Sequence, residues 1–255
     1  MAKSDSLIEK QANEFRQRHG IGEKDPIRFK SLLSSLNVIT SFQALSGDFS
    51  GMAIKVAEKE IDDVRLMMVN NNHSLGKQHF TICHELYHLF VQEDFTSMTC
   101  QTAKFDKKSG IEYDADRFAA HLLLPKHGLF SLIPDNQLRK DKIAIATLLK
   151  IEQYYSCSRG ALWYRLKELE LVGKNTYDAF CRSVKSSATA HGYSLSLYEK
   201  GNKNLAIGDY GTLAKKLLEK GKISESHYVS LLHDWGIPLE ELENLFRKNS
   251  DDEEE

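Results

Sequence analysis

The sequence predicts an α+β fold, and three features carry that reading. Residues 37–70 hold three short β-branched segments separated by turn residues. Two amphipathic helical segments follow, at 75–91 and 111–124. Beyond residue 135 the pattern is helical throughout. The expectation is a small mixed sheet packed on one helix, plus an all-helical C-terminal region.

Residues 5–19 predict a charged helix, with Leu7, Ile8, Ala12 and Phe15 at helical spacing and Gly20 and Gly22 stopping it. Pro26 opens a second helix over 27–36. Asn37-Val-Ile-Thr-Ser-Phe42, Met52-Ala-Ile-Lys-Val56 and Asp63-Val-Arg-Leu-Met-Met-Val-Asn70 predict three strands, antiparallel in part, with Gly47 and Gly51 bracketing a turn. Asn72 or Ser74 caps the helix over 75–91, whose apolar surface comes from Phe80, Leu86, Leu89 and Phe90. Residues 92–110 predict a polar loop ending in Lys107-Lys-Ser-Gly110. The helix over 111–124 is closed by Pro125. Residues 141–155 and 159–171 predict a helical hairpin around a Ser156-Cys-Ser158 turn, with shorter helices at 210–220, 224–235 and 238–247.

At 255 residues, with 41% hydrophobic and 27% charged content, the chain can bury a sizeable core. Thirty-four Lys and Arg against thirty-six Asp and Glu exclude a global basic field, so nucleic-acid binding would need a local patch. The sequence has no apolar run of membrane-spanning length and no apolar signal segment after Met1, so a cytoplasmic location without membrane association is expected. Cys83, Cys100, Cys157 and Cys181 lack CxxC spacing and are expected as free thiols.

His84-Glu-Leu-Tyr-His88 is an H-E-x-x-H pattern within a predicted helix. Four residues advance a helix by about 400°, which puts both imidazoles on one face, about 6 Å apart along the axis. That spacing suits two nitrogens of a tetrahedral zinc site. Glu85, about 100° further round, suits a general base acting on a water whose pKa zinc lowers to about 7. A third ligand is needed, and Glu112 supplies the best answer from the next helix. Asp116, one turn later, would accept a hydrogen bond from the free N–H of His84. Asp114 is the alternative third ligand, on a different face, and His79 with Cys83 forms a rival pair without a neighbouring Glu. Tyr87 and Tyr113 flank the site as oxyanion donors, with packing the commoner fate of both, and His121 reads as a helix-face histidine with a substrate contact as its alternative.

Phe80-Thr-Ile-Cys-His-Glu-Leu-Tyr-His-Leu-Phe90, followed by Glu112-Tyr-Asp-Ala-Asp-Arg-Phe-Ala-Ala-His-Leu-Leu-Leu-Pro125, resembles the ImmA/IrrE family of metallopeptidases. Asp48-Phe-Ser-Gly51, the strand ending Val-Asn70 and the Ser158-Arg-Gly-Ala-Leu-Trp-Tyr-Arg-Leu166 hairpin extend the likeness over residues 5–172. Tyr87 stands where members commonly carry Gly, and Cys83 where they carry Ala. The resemblance implies a zinc-dependent endopeptidase with His84, His88 and Glu112 as ligands and Glu85 as base. It implies as substrate a helix-turn-helix repressor or antitoxin, in a mobile-element, stress-response or toxin–antitoxin setting.

The expected architecture is thus a zincin-like metallopeptidase domain over 1–135 and a helix-turn-helix-like hairpin over 136–175 packed on it. A helical region over 176–250 and a disordered acidic tail over 251–255 complete it. The competing function is a DNA- or partner-binding regulator that uses zinc as scaffold or sensor. It rests on the hairpin, with Arg159, Arg165 and Lys167 on its second helix, and on the C-terminal helices as a partner surface. Leu162, Leu166 and Leu169 form a stripe that a packing hairpin also needs, and so few cations make weak phosphate anchoring.

Overall fold

A computed structural model describes residues 2–46, 48–58, 61–93, 95–100, 110–235 and 237–240. The Gly47 turn residue, the loop end at Lys107-Lys-Ser109, the helix expected beyond Glu240 and the acidic tail lie outside the described residues.

Ser4 accepts from the Leu7 amide at 3.3 Å and so caps helix α1, Asp5–Arg18. Ile8, Ala12 and Phe15 form its buried stripe. It ends where Gly20 takes φ +66° and the Ile21 amide closes on the Arg16 carbonyl at 2.8 Å. Helix α2 (Phe29–Ser35) follows, then strands β1 (Val38–Gln43), β2 (Gly51–Glu58) and β3 (Ile61–Asn70). Helix α3 (Leu75–Phe90), strand β4 (Ser97–Cys100), and helices α4 (Gly110–Leu123) and α5 (Lys126–Leu132) complete the part that positions the site. Helices α6 (Ile145–Tyr155), α7 (Arg159–Glu168), α8 (Tyr177–Cys181) and α9 (Val184–Ala190), strand β5 (Ala206–Ile207), and helices α10 (Tyr210–Glu219) and α11 (Glu225–Asp234) follow. The α+β class read from the sequence is the class observed.

The sheet order is β4-β2-β3-β1-β5. β1 runs parallel to β3, with Val38 opposite Arg65, and the other pairs are antiparallel, with Gly51 opposite Val69 and Ala53 opposite Met67. Helix α3 lies against β2 and β3 on one side and pairs with α4, while α1 packs on α4. Ile8, Phe15, Ala53, Met67, Val69, Phe80, Leu86, Phe118 and Leu122 share one apolar core, to which Leu162 and Leu166 of α7 belong.

Several boundaries differ from expectation. β4 forms inside the stretch read as polar loop, and β5 inside one read as helical. Pro125 ends α4 and also opens α5 as its N-cap. Helix α6 starts at Ile145 rather than 141, because Asp141 adopts φ +59° and its carboxylate accepts the Gly173 amide at 2.7 Å. Helix α7 stops at Glu168 rather than 171: Glu170 takes φ +59° and the Leu171 amide closes on the Leu166 carbonyl at 2.9 Å.

Candidate metal centre

Helix α3 places His84, Glu85 and His88 wholly inside the molecule. The two histidines, one turn apart, bring their Nε2 atoms to 3.2 Å. Helix α4 lies alongside, and its first turn carries Glu112, whose Oε2 is 3.3 Å from His84 Nε2 and whose Oε1 is 3.3 Å from His88 Nε2. Among the described residues, these three are the group of His, Cys, Asp and Glu side chains whose ligand atoms converge as a metal site requires. The Glu112 side chain keeps 27% of its surface exposed while the imidazoles keep essentially none, so the cluster opens on the Glu112 side.

The outer nitrogens are held as well. Asp116, one turn after Glu112 on α4, sets Oδ1 3.0 Å from His84 Nδ1. Gln92, just past the end of α3, sets Oε1 2.6 Å from His88 Nδ1. Both partners are acceptors, so each Nδ1 carries its proton and each Nε2 turns a lone pair toward the other and toward the Glu112 carboxylate. Lone pairs and a carboxylate at such distances repel unless a cation lies among them. A divalent metal answers that need at neutral pH, and protons on the imidazoles answer it in acid, so the donor set fits a metal ion. Burial alone would raise the Glu112 carboxyl, but once both imidazoles are protonated, as in acid without metal, their Nε2–H groups and charge hold it well below the usual carboxylate range.

Other anticipated residues sit elsewhere. Asp114 faces away from the histidines: it accepts the Lys3 amide at 3.0 and 3.1 Å and pairs with Arg117 Nη2 at 2.6 Å. His79 sets Nδ1 2.7 Å from the Ser156 carbonyl and stacks on Phe29, while Cys83 is buried, so among the described residues that pair belongs to no metal-like cluster. Tyr87 is 2% exposed, packed against Phe118 and His88, and its hydroxyl is pushed up to about 12 by burial. Tyr113 is half-buried beneath the Arg117 guanidinium, 4.7 Å from the ring centre. His121 lies nine residues beyond Glu112, two and a half turns, and therefore on the opposite face; its Nε2 is 3.3 Å from Asp5 of α1.

Three contributors escaped the sequence reading. Gln92 lies four residues beyond His88, a spacing that could have flagged it had the helix not been expected to end there. Gly51 opens β2 under the Glu85 carboxylate, where a Cβ would come within 2.8 Å of Oε1. Asn70, wholly buried, donates from Nδ2 to the Ser46 carbonyl at 2.9 Å and the Phe49 carbonyl at 2.6 Å, and accepts the Leu45 amide at 3.1 Å. That side chain fixes the loop that delivers Gly51.

An α+β core in which one helix offers two imidazoles and a second helix a carboxylate to a common point is of metallopeptidase type. Residues 46–167 match the peptidase M78 family model, described as the IrrE N-terminal-like domain. Over that stretch, a little under half of its length, the chain is similar to the ImmA/IrrE family of metallopeptidases. No curated protein matches the chain. Among the described residues, no helix is long and apolar enough to cross a membrane.

Proposed function

We propose that the chain is a zinc-dependent endopeptidase acting in the cytoplasm on a regulatory protein, a helix-turn-helix repressor or antitoxin, in a mobile-element, stress-response or toxin–antitoxin setting. The observation that carries this reading is Glu85: a purely structural metal site has no use for a buried carboxylate beside its ligands. In this reading His84, His88 and Glu112 hold the ion. Two imidazoles and one carboxylate favour zinc among the common divalent metals. When bound, zinc supplies Lewis acidity, polarising a carbonyl and lowering the pKa of water to about 7. Glu85 takes a proton from the attacking water and returns it to the departing amide nitrogen. Asp116 holds the proton on His84 Nδ1 at 3.0 Å and so keeps Nε2 free to bind. The substrate enters as an extended strand along the outer edge of β4, the sheet edge that follows directly from α3 through Phe95, whose ring stacks on His88.

The competing reading, a regulator that uses α6 and α7 to bind DNA, loses two of its three expected cations, leaving Lys167 half-buried over the Trp163 ring. Arg159 and Arg165 are buried, the first paired with Glu152 and the second with Glu168 and the Leu124 carbonyl. Partner holding is compatible with proteolysis, since Leu213 and Leu217 of α10 are each 42% exposed. Co-expression with the repressor or antitoxin encoded beside this chain, comparing wild type with Glu85→Gln by intact mass, tests the proposal. A partner fragment formed only by wild type supports it; an intact partner that co-purifies equally with both overturns it.

A further inference from the structure

The two ligand histidines are held by different parts of the chain. His84 is backed by a carboxylate on α4, Asp116, and His88 by a neutral amide, Gln92, at the exit of its own helix. That exit is fixed: the Val91 and Gln92 amides both close on the Tyr87 carbonyl at 2.9 Å, which sets the Gln92 backbone so that its side chain folds back one turn. The same connection lays Phe95 on the His88 ring, centroids 5.4 Å apart and planes 24° apart, and then binds β2 through the Lys55 amide and Thr96 carbonyl at 2.7 Å. His88 therefore has its outer nitrogen and one ring face held by the segment that leads into edge strand β4.

We propose that Gln92 is a positioning residue for His88: its Oε1 keeps the imidazole proton on Nδ1 and leaves Nε2 bare toward His84 and Glu112. This rests on the reading of His84, His88 and Glu112 as a metal site. Without an acceptor at Nδ1 the proton is free to move to Nε2, where it blocks ligation.

The test uses the full chain, with Zn2+ affinity read by competition with a chromophoric chelator and the His88 tautomer read by long-range 1H–15N NMR of the metal-free protein. Gln92→Leu should weaken Zn2+ binding about 10–100-fold and shift His88 toward the Nε2–H form, while Gln92→Glu, which retains an acceptor, should bind as wild type does or more tightly. Unchanged affinity and tautomer in Gln92→Leu would overturn the proposal. Equal loss in both variants, with a lowered metal-free unfolding temperature, would also overturn it and make Gln92 a packing residue. A wild-type chain that takes up no Zn2+ would defeat the metal reading instead, and the NMR comparison would still decide whether Gln92 sets the tautomer.

Discussion

A methyl group at Gly51 would lie 2.6 Å from Thr81 Cγ2, 2.8 Å from Glu85 Oε1 and 3.1 Å from the Met68 carbonyl. Gly51→Ala should therefore push α3 and its carboxylate away from β2, destabilising the fold by about 1–3 kcal/mol and lowering cleavage beyond what stability explains; urea unfolding and peptidase rates separate the two. Glu85→Gln should lower cleavage by about 10²–10⁴-fold while Zn2+ still binds by chelator competition. Glu112→Gln should remove metal binding. Asp114→Asn should leave binding intact in folded protein while weakening the buried pair with Arg117, since Asp114 faces Lys3 and Arg117. The Glu112 carboxyl is depressed in the fold, so its contribution to metal-free stability is present above its unfolded value of about 4.3 and is lost as pH falls through the depressed one. Metal-free denaturation midpoints should accordingly drop on acidification below about pH 4.3, less steeply in Glu112→Gln. His84, Glu85 and His88 were legible because one helix turn fixes their relation locally. Glu112 was separable from Asp114 because two residues swing about 200° round a helix. Gly51 was not legible as a site residue, because its neighbour Glu85 meets it only once helix and sheet pack.

Helices α6 and α7 are stapled by a buried network in which Arg159 Nη2 meets Glu152 Oε2 at 3.0 Å and the Tyr198 hydroxyl donates to the same oxygen at 2.8 Å. Arg159→Ala leaves Glu152 charged and buried with Tyr198 as its remaining partner in that network, and should cost about 3–5 kcal/mol in chemical denaturation. If the arginine instead served DNA, the same change would weaken duplex retention and spare stability. The hairpin was readable from sequence, and the Ser158 hydroxyl of its turn accepts the Ala161 amide at 3.3 Å to cap the second helix. The burial of its cations was not, because an arginine facing solvent and one facing a glutamate on the preceding helix look alike in sequence. The three inner strands were likewise readable from their β-branched runs. β4 and β5, four and two residues long, were not, since an edge strand so short carries no alternation to detect and exists by pairing with β2 and β1.

For the molecule as a whole, zinc should act as a ligand of the native state alone. Chelation should lower the unfolding temperature, by an amount equivalent to about 4 kcal/mol when free zinc had stood at a thousand times its dissociation constant; differential scanning calorimetry with and without chelator measures it. The C-terminal region contributes differently, by covering one side of the sheet. β5 pairs with β1, the Phe42 amide donates to the Leu205 carbonyl at 3.0 Å, and Gln43 donates to the Asp234 carbonyl at 3.0 Å. Ending the chain at Asn204 should uncover β1 and promote self-association, visible by light scattering. The two helices that meet at the candidate metal centre are joined by the segment running from His88 through β4 to Glu112. Each end of that segment is secured without the other's help: β4 pairs with β2, and α4 is clasped between α1 and α3. A single backbone cut between Cys100 and Gly110 would then yield two pieces that travel together on a sizing column and separate only on a denaturing gel. Bound zinc, ligated from both pieces, would act as their rivet.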